Sequence, residues 1–311
     1  MVSWHQTVIE SGTGASLNCY QAFPKKSKAG PKAVVQINHG MSEHSLRYKN
    51  FARFLAEHSY AVLIHDHRGH GQTTAPDAPL GNFGTNGGEN LLGDIDAING
   101  QIRKLYPGIP IICFGHSMGG VFSMNYALLN PDRINGVAVW NTNLDANIGL
   151  KLFKLILLTE RMLKGSDVPS TMASTLTFQT WNRKFQPNRT DFDWLSRDEA
   201  EVDIYINDSL CGFPLTVGAW LAVVEAIRSG AGKNAIQSLP KTLPFNLVAG
   251  GDDPVSENGE AILSLARRLQ TAGMTDVTTT IYPKTRHECL HEINRDHIAV
   301  EFLDWLDEYF G

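Results

Sequence analysis

A serine flanked by glycines lies between an apolar run and a helical pattern. Residues 109–120 read IPIICFGHSMGG, which places Ser117 at the end of a predicted strand and the start of a predicted helix. Such a turn is so tight that only glycine fits beside the serine, as Gly115 and Gly119 do here. The hydroxyl then projects at the helix N-terminus, where amides stabilise negative charge. The segment, which also contains His116, predicts a nucleophile elbow with Ser117 as the nucleophile.

A serine hydroxyl needs a histidine that takes its proton and a carboxylate that orients the histidine. Where such an elbow carries the nucleophile, the carboxylate and then the histidine follow it in the chain. The sequence GGDDPVS follows the apolar run 245–249 and offers Asp253, with Asp252 as the alternative. Asp253 is preferred because it stands three residues after a glycine, at the turn beyond the strand. PKTRHECLHE follows the next strand, and its first histidine, His287, is the predicted base.

An attack by Ser117 needs two backbone amides that hold the charge developing on the substrate oxygen. Met118, the residue after the nucleophile, provides the first amide. The apolar run 33–37 leads into Asn-His-Gly-Met, so the amide of Met41 is the predicted second donor. Four polar residues then follow and either shape the entrance of the site or cap the helix that begins there: Glu43, His44, Arg47 and Tyr48.

The segment from His287 to His291 also matches H-E-x-x-H, a pattern that on a helix binds zinc with Glu288 as the base. Here the segment follows Pro283 directly after a strand, and little chain remains to supply a third ligand. The serine chemistry already requires one of these histidines. We therefore predict no metal at this segment and no cofactor.

Two other groups of polar residues are predicted to be structural. His65, His67 and His70 lie in a strand-to-turn segment whose glycines indicate a packed polar turn. Asp94 and Asp96 lie on the helix before the elbow strand, where we expect contact with solvent or with another helix. Neither group is predicted to take part in catalysis.

Compact apolar runs alternate with helical patterns over the first part of the chain, which predicts a buried parallel sheet. The predicted strands are residues 7–10, 16–23, 33–37, 61–64, 109–114, 136–140, 245–249 and 278–282. The predicted helices are residues 48–57, 89–105, 118–129, 259–271 and 296–309.

The alternation stops between residues 140 and 245, a gap too long for a plain loop. Helical patterns at 151–164 and 217–228 predict a mainly helical cap, residues 143–238, inserted into a core formed by 1–142 and 239–311. Leucines at helical spacing in 150–163 favour packing against the core over contact with lipid. This stretch is too short and too charged to span a membrane.

Composition narrows the classes of function. The chain has 311 residues, 27 Lys and Arg against 32 Asp and Glu, and a net charge of -5. No basic run suits a nucleic-acid backbone, so no nucleic-acid partner is expected. Four scattered cysteines indicate reduced thiols, and the N-terminus lacks the pattern of a signal peptide. These features predict a cytoplasmic protein.

Five segments in the same order resemble the monoacylglycerol lipase and bacterial lysophospholipase-like (serine aminopeptidase S33-type) group of α/β-hydrolases. They are HGMSEHSLRY, DHRGHG, GHSMGG, GGDDPV and HECLHE. The resemblance implies an α/β-hydrolase fold: a mostly parallel central sheet flanked by helices, with an inserted, mainly helical cap. It implies a catalytic triad of Ser117, Asp253 and His287, with the amides of Met41 and Met118 as oxyanion donors.

The resemblance also implies the substrate class. We expect hydrolysis of an ester with one fatty acyl chain, in a lysophospholipid or a monoacylglycerol, and transient contact of the cap with a membrane surface. A peptidase or small-molecule esterase of the same fold is the alternative. A non-catalytic binding module is disfavoured because every catalytic position is filled.

Overall fold

A computed structural model of the protein describes residues 3–24, 30–230 and 232–311. Eight strands form one sheet: β1 Ser3–Glu10, β2 Ser16–Phe23, β3 Val34–Asn38, β4 Ala61–His65, β5 Ile111–His116, β6 Gly136–Trp140, β7 Phe245–Gly250 and β8 Val277–Tyr282. Their spatial order is β1-β2-β4-β3-β5-β6-β7-β8. Strand β2 pairs antiparallel with both β1 and β4, and the remaining pairs are parallel. The predicted fold class, with its mostly parallel sheet, is confirmed.

The helices are α1 Lys49–Glu57, α2 Gly87–Leu105, α3 Met118–Leu129, α4 Ile148–Lys164, α5 Thr171–Ser174, α6 Thr180–Asn182, α7 Glu199–Asn207, α8 Val217–Gly230, α9 Lys233–Gln237, α10 Glu260–Thr271 and α11 Arg295–Phe310. Helix α3 and strand β2 have the predicted bounds, and most other predicted elements shift by a few residues. Helices α4 to α9 occupy the segment between β6 and β7. The division into core and cap at the bounds given above stays a prediction.

The parallel strands β3 to β7 are buried on both faces because helices cover both sides of the sheet, while β8 at its edge is half-buried. On β5, Ile112 and Phe114 point to one face, where they pack in one cluster with residues of α1 and α11. Cys113 points to the other face, in a cluster with residues of α2, α3, α8 and α10. Side chains alternate between faces with the two-residue period of a strand. Because each face of the sheet packs against its own apolar core, residues on both faces of β5 are apolar and the run is continuous.

Helix α4 lies at the surface, and its apolar residues divide between two environments. Leu157 is buried in the core and Leu150 and Phe153 pack against it, as predicted, whereas other apolar residues of the helix face outward. Four large side chains are strongly exposed: Ile148, Leu155, Met162 and Leu163. The buried residues of the helix are Leu157 and Glu160. Glu160 Oε2 accepts a hydrogen bond from Ser170 Oγ at 2.5 Å, which anchors the C-terminal half of α4. Among the described residues, no helix is long and apolar enough to cross a membrane.

Asp94 is fully buried, which excludes contact with solvent, one of the two predicted alternatives. Its carboxylate accepts a hydrogen bond from Arg68 Nε at 2.7 Å, and both side chains have no exposed surface. A buried charge requires such a partner. Asp96 contacts a neighbouring helix, where it accepts a hydrogen bond from the Tyr126 hydroxyl at 2.8 Å.

The histidines of the 65–71 turn form a buried cluster together with His39. The ring centroids of His39 and His67 are 4.3 Å apart, and those of His65 and His67 are 4.7 Å apart. Burial lowers the pKa of His39 and of His65 to about 4, and that of His70 to about 3. At neutral pH the cluster is uncharged and acts as a packed polar core, as predicted for the turn.

These histidines predict a loss of stability in mild acid. Between the ordinary histidine pKa of about 6.5 and the folded values near 4, the unfolded chain binds protons that the folded chain does not. The contribution of these neutral histidines to the free energy of unfolding is therefore full above about pH 6.5, and it decreases as the pH falls towards 4. Thermal melts across this range measure the effect. We expect His65→Asn to flatten the slope and the exposed His297→Gln to keep it; a constant Tm in the wild-type protein would contradict the account.

Candidate active site

Ser117 lies in a strained turn between β5 and α3. Its backbone has φ 54° and ψ −119°, a conformation that residues other than glycine rarely adopt. Its backbone N–H donates to the carbonyl of Trp140 on β6 at 2.8 Å. A Cβ at Gly119 would collide with the Asn38 carbonyl, and one at Gly115 would collide with the Gly119 carbonyl. The two glycines therefore allow a turn in which Ser117 stands at the N-terminus of α3.

Asp253 and His287 follow the neighbouring strands β7 and β8, so their side chains meet at the carboxyl edge of the sheet. His287 Nδ1 donates to Asp253 Oδ1 at 2.9 Å. Asp253 also accepts bonds from Ser256 Oγ at 2.7 Å and from the Val255 amide at 3.0 Å. Burial opposes its ionisation, but His287 and these donors lower its pKa overall. Asp252 is exposed, so Asp253 is the carboxylate that contacts the histidine.

Ser117 and His287 line the same small cavity of about 40 Å³. The His287 ring packs between Trp194 and His116, with ring centroids 4.9 and 4.8 Å away. The carbonyl of His287 accepts a hydrogen bond from His116 Nε2 at 3.1 Å. The tryptophan comes from the segment between β6 and β7, so that segment helps to fix the histidine beside the serine.

The loop that carries Met41 follows β3 and is held by hydrogen bonds on both sides. The Gly40 amide donates to Glu43 Oε1 at 2.5 Å, while the Gly40 carbonyl accepts a bond from His39 Nδ1 at 2.7 Å. A Cβ on Gly40 would approach Glu43 Oε1 at 2.6 Å, so the close approach requires glycine. Met41, Ser117 and Met118 line one cavity, and the role of the two methionine amides as oxyanion donors stays a prediction.

A buried ionic network lies under this loop, and sequence reasoning missed it. Arg47 donates to both oxygens of Glu288 at 2.5 and 2.6 Å and to Glu43 at 2.7 Å. The Tyr48 hydroxyl donates to Glu43 at 2.8 Å. Although burial opposes ionisation, Arg47 holds the pKa of Glu43 well below its usual range. The two predicted roles, capping the helix and shaping an entrance, therefore do not describe these side chains fully. Their main role is to join the loop that carries Met41 to Glu288, the residue after His287.

The H-E-x-x-H segment does not form the helix that zinc binding requires. It contains only a short 3-10 turn at Cys289–His291. Its polar side chains have separate partners: His287 contacts Asp253, Glu288 contacts Arg47, and His291 Nδ1 lies 3.1 Å from Glu201 Oε2. The two histidines therefore serve different parts of the structure.

A second, larger cavity of about 550 Å³ begins at Ser117 and extends to α4. Its walls are mainly apolar and include Leu152 and Phe153 of α4 and Val223 and Ile227 of α8. Asparagines and two carboxylates complete the lining. Among the described residues that line either cavity, none is a lysine or an arginine. The arrangement therefore offers an uncharged, elongated chain a place next to the serine.

A parallel sheet with an elbow after β5, an acid after β7 and a histidine after β8 defines an α/β-hydrolase. The family model described as serine aminopeptidase, S33, matches residues 29–294, and the chain belongs to this family of hydrolases.

Known relatives agree with this class. The chain is 29% identical to the monoglyceride lipase of Homo sapiens over 86% of this chain and 83% of that protein. It is 24% identical to the monoacylglycerol lipase of Mycolicibacterium smegmatis over 89% and 88% of the two chains. The structure of a carboxyl esterase from Bacillus coagulans superposes over the full length of both chains with a TM-score of 0.90 at 22% identity, a likeness of fold.

The two adjacent aspartates provide a matched test of the site. We expect Asp253→Asn to lower kcat by about 10⁴-fold, the loss known for the same change in a serine protease, because the amide cannot hold the histidine in the productive tautomer. Asp252→Asn, at the exposed neighbour, should leave kcat within about twofold. Steady-state hydrolysis of a p-nitrophenyl ester measures both. Equal losses in the two variants, or a larger loss at Asp252, would exclude the proposed triad.

Proposed function

We propose that the protein hydrolyses esters of a single fatty acyl chain, with monoacylglycerol as the best substrate, through an acyl-enzyme on Ser117. One observation carries the proposal: two cavities of very different size meet at this serine. The larger, apolar cavity suits an acyl chain, and the smaller suits a short alcohol.

The mechanism uses the residues in named roles. His287 takes the proton from Ser117 Oγ, which attacks the ester carbonyl carbon and forms a tetrahedral intermediate. The amides of Met41 and Met118 stabilise the oxyanion. His287 then gives the proton to the leaving alcohol, and the acyl group remains on the serine. Water, deprotonated by His287, attacks the acyl-enzyme and releases the fatty acid, while Asp253 stabilises the imidazolium in both steps.

The small cavity favours a neutral head group. It is lined by aromatic side chains, by His116 and His287 and by the carboxylates Glu43 and Glu288, with no lysine or arginine among its described lining residues. A phosphocholine group is larger than glycerol and carries charge, and no lysine or arginine among the described lining residues would bind its phosphate. Glycerol is small and uncharged, which supports monoacylglycerol over lysophospholipid. The names of the human and mycobacterial relatives support the same choice.

The family description keeps a peptidase as the second candidate. An aminopeptidase needs a free carboxylate that binds the substrate ammonium near the nucleophile. Glu43 and Glu288 line the small cavity, but both are already paired with Arg47. The acyl-chain cavity has no use in such a reaction, so the ester is the better substrate. We expect no cofactor, because the serine mechanism is complete without one.

We further infer that the cap, residues 143–238, lets the protein contact a membrane surface transiently from the cytoplasm. The exposed apolar side chains of α4 lie on the helix that also lines the acyl cavity. Lys151, Arg161 and Lys164 on the same helix can meet anionic head groups. A single-chain lipid would thus pass from the membrane along α4 to Ser117.

A substrate panel tests the function. We expect monoacylglycerol to be hydrolysed with a higher kcat/KM than lysophosphatidylcholine, a short p-nitrophenyl ester or an aminoacyl arylamide. Ser117→Ala should lower turnover on every substrate by up to ~10⁶-fold, because the triad acts as a unit. Fatty-acid release measured by the same assay for both proteins gives the ranking. Preference for the arylamide would favour the peptidase, and activity that survives in the variant would remove Ser117 from its role.

The exposed face of α4 has its own test. Leu155 and Met162 are 61% and 86% exposed and do not line the cavity. Replacing both by serine should lower hydrolysis of monoacylglycerol in vesicles by roughly a hundredfold, because two buried side chains at about 1.5 kcal/mol each contribute about 3 kcal/mol to membrane binding. Hydrolysis of a soluble short ester should not change. Leu129→Ser, at an equally exposed position on α3, is the control, and equal activity of all three proteins on vesicles would refute membrane contact through α4.

A further inference from the structure

Three metal-ligand side chains of different types converge where the Met41 loop meets the segment between β6 and β7. They are His44, Asp208 and Cys211, and their ligand atoms all lie within 4.8 Å of one another. His44 Nε2 is 2.8 Å from Asp208 Oδ2. The catalytic mechanism uses none of the three, and none lines the cavities at Ser117.

A tight turn after α7 orients two of these ligands. Asp208 Oδ1 accepts a bond from the Leu210 amide at 2.9 Å, and the Asp208 carbonyl accepts one from the Cys211 amide at 3.0 Å. The first bond fixes the carboxylate and leaves Oδ2 directed to His44. Hydrogen bonds of this kind commonly orient the ligands of metal sites. The turn therefore holds the carboxylate and the thiol on the side of the imidazole.

We propose that His44, Asp208 and Cys211 bind a borderline-soft divalent transition-metal ion such as Zn²⁺. An imidazole nitrogen, a thiolate and a carboxylate oxygen are ligands that Zn²⁺ accepts together, whereas Ca²⁺ and Mg²⁺ prefer oxygen alone. Zinc sites are usually tetrahedral, so one position remains for water. The Asp208 side chain is 33% exposed, which opens that position to solvent.

The surrounding charges accommodate the ion. Arg47 lies close enough to affect the Cys211 thiol, but Glu43 and Glu288 flank Arg47 and balance its charge. The Cys211 thiol carries a proton that the metal ion must displace when the sulfur becomes a ligand. Binding of the metal forms the sulfur–metal bond and releases that proton to solvent through the exposed side of Asp208.

An ion at this site would act as a clamp between two segments that already touch. The Ser42 carbonyl accepts hydrogen bonds from the Gly212 amide and from the Tyr205 hydroxyl, each at 2.9 Å. Ser42 is the residue after Met41, and His44 follows two positions later. The metal would hold the Met41 loop against the turn after α7 without taking part in bond cleavage.

Titration with Co²⁺, whose absorption reports its ligands, tests the site without any substrate. The metal-free wild-type protein should develop a thiolate-to-cobalt charge-transfer band in the near ultraviolet, and added Zn²⁺ should remove it. Cys211→Ser should lose the band, and Asp208→Asn should weaken Co²⁺ binding by at least roughly tenfold. His297, in an exposed pair with Glu301 at 3.2 Å but without a thiol, provides the control; His297→Ala should bind as the wild type does.

Zn²⁺ should also raise the Tm of the wild type and of His297→Ala, but not that of Asp208→Asn. Melts of the metal-free variants establish that each one folds. Absence of the charge-transfer band in the wild type would overturn the proposal. A charge-transfer band that persists in Cys211→Ser would also overturn the proposal, because the thiolate ligand would then lie elsewhere. If that band were lost in His291→Ala, the metal would lie near His291 instead.

Discussion

The double ion pair of Arg47 is the interaction on which the site depends most. Its guanidinium joins Glu43, which holds the loop before Met41, to Glu288, which follows His287. The loop that carries Met41 and the loop that carries His287 come from opposite ends of the chain. The Arg47 guanidinium links them and fixes their separation. All three side chains are almost fully buried, so the loss of one would leave an uncompensated charge, which typically costs about 3–5 kcal/mol.

The sheet topology explains why residues so far apart in the chain meet. Strands β3, β5, β7 and β8 run parallel, so their carboxyl ends lie along one edge. Each strand ends in a loop that carries one residue of the predicted site: Met41, Ser117, Asp253 and His287. Strand β6 lies between β5 and β7 and provides the carbonyl that fixes the Ser117 amide. The helices on both faces bury the central strands, which holds this edge in place.

Much of this arrangement could be predicted from sequence, since apolar runs locate strands and the residues after them locate the edge. Asp253 could be preferred to Asp252 on spacing alone, and the structure buries only the former beside His287. The exposure of α4 could not be predicted, because periodicity identifies an apolar face but not what covers it. The pairing of Asp94 with Arg68 and of Arg47 with Glu288 also depends on contacts distant in sequence. The one local sign of the Arg47 network was the spacing of Glu43 and Arg47, which stand four residues apart shortly after Gly40.

The lack of lysine and arginine in the described lining of both cavities has a consequence for turnover. The ester that enters is neutral, but the fatty acid that leaves carries a negative charge once water has completed the reaction. The large cavity contains the carboxylates Asp145 and Glu257 and no cation that would retain an anion. The same walls that accept the acyl chain as an ester therefore bind it more weakly as an acid. Hydrolysis itself thus supplies the electrostatic force that clears the site for the next lipid.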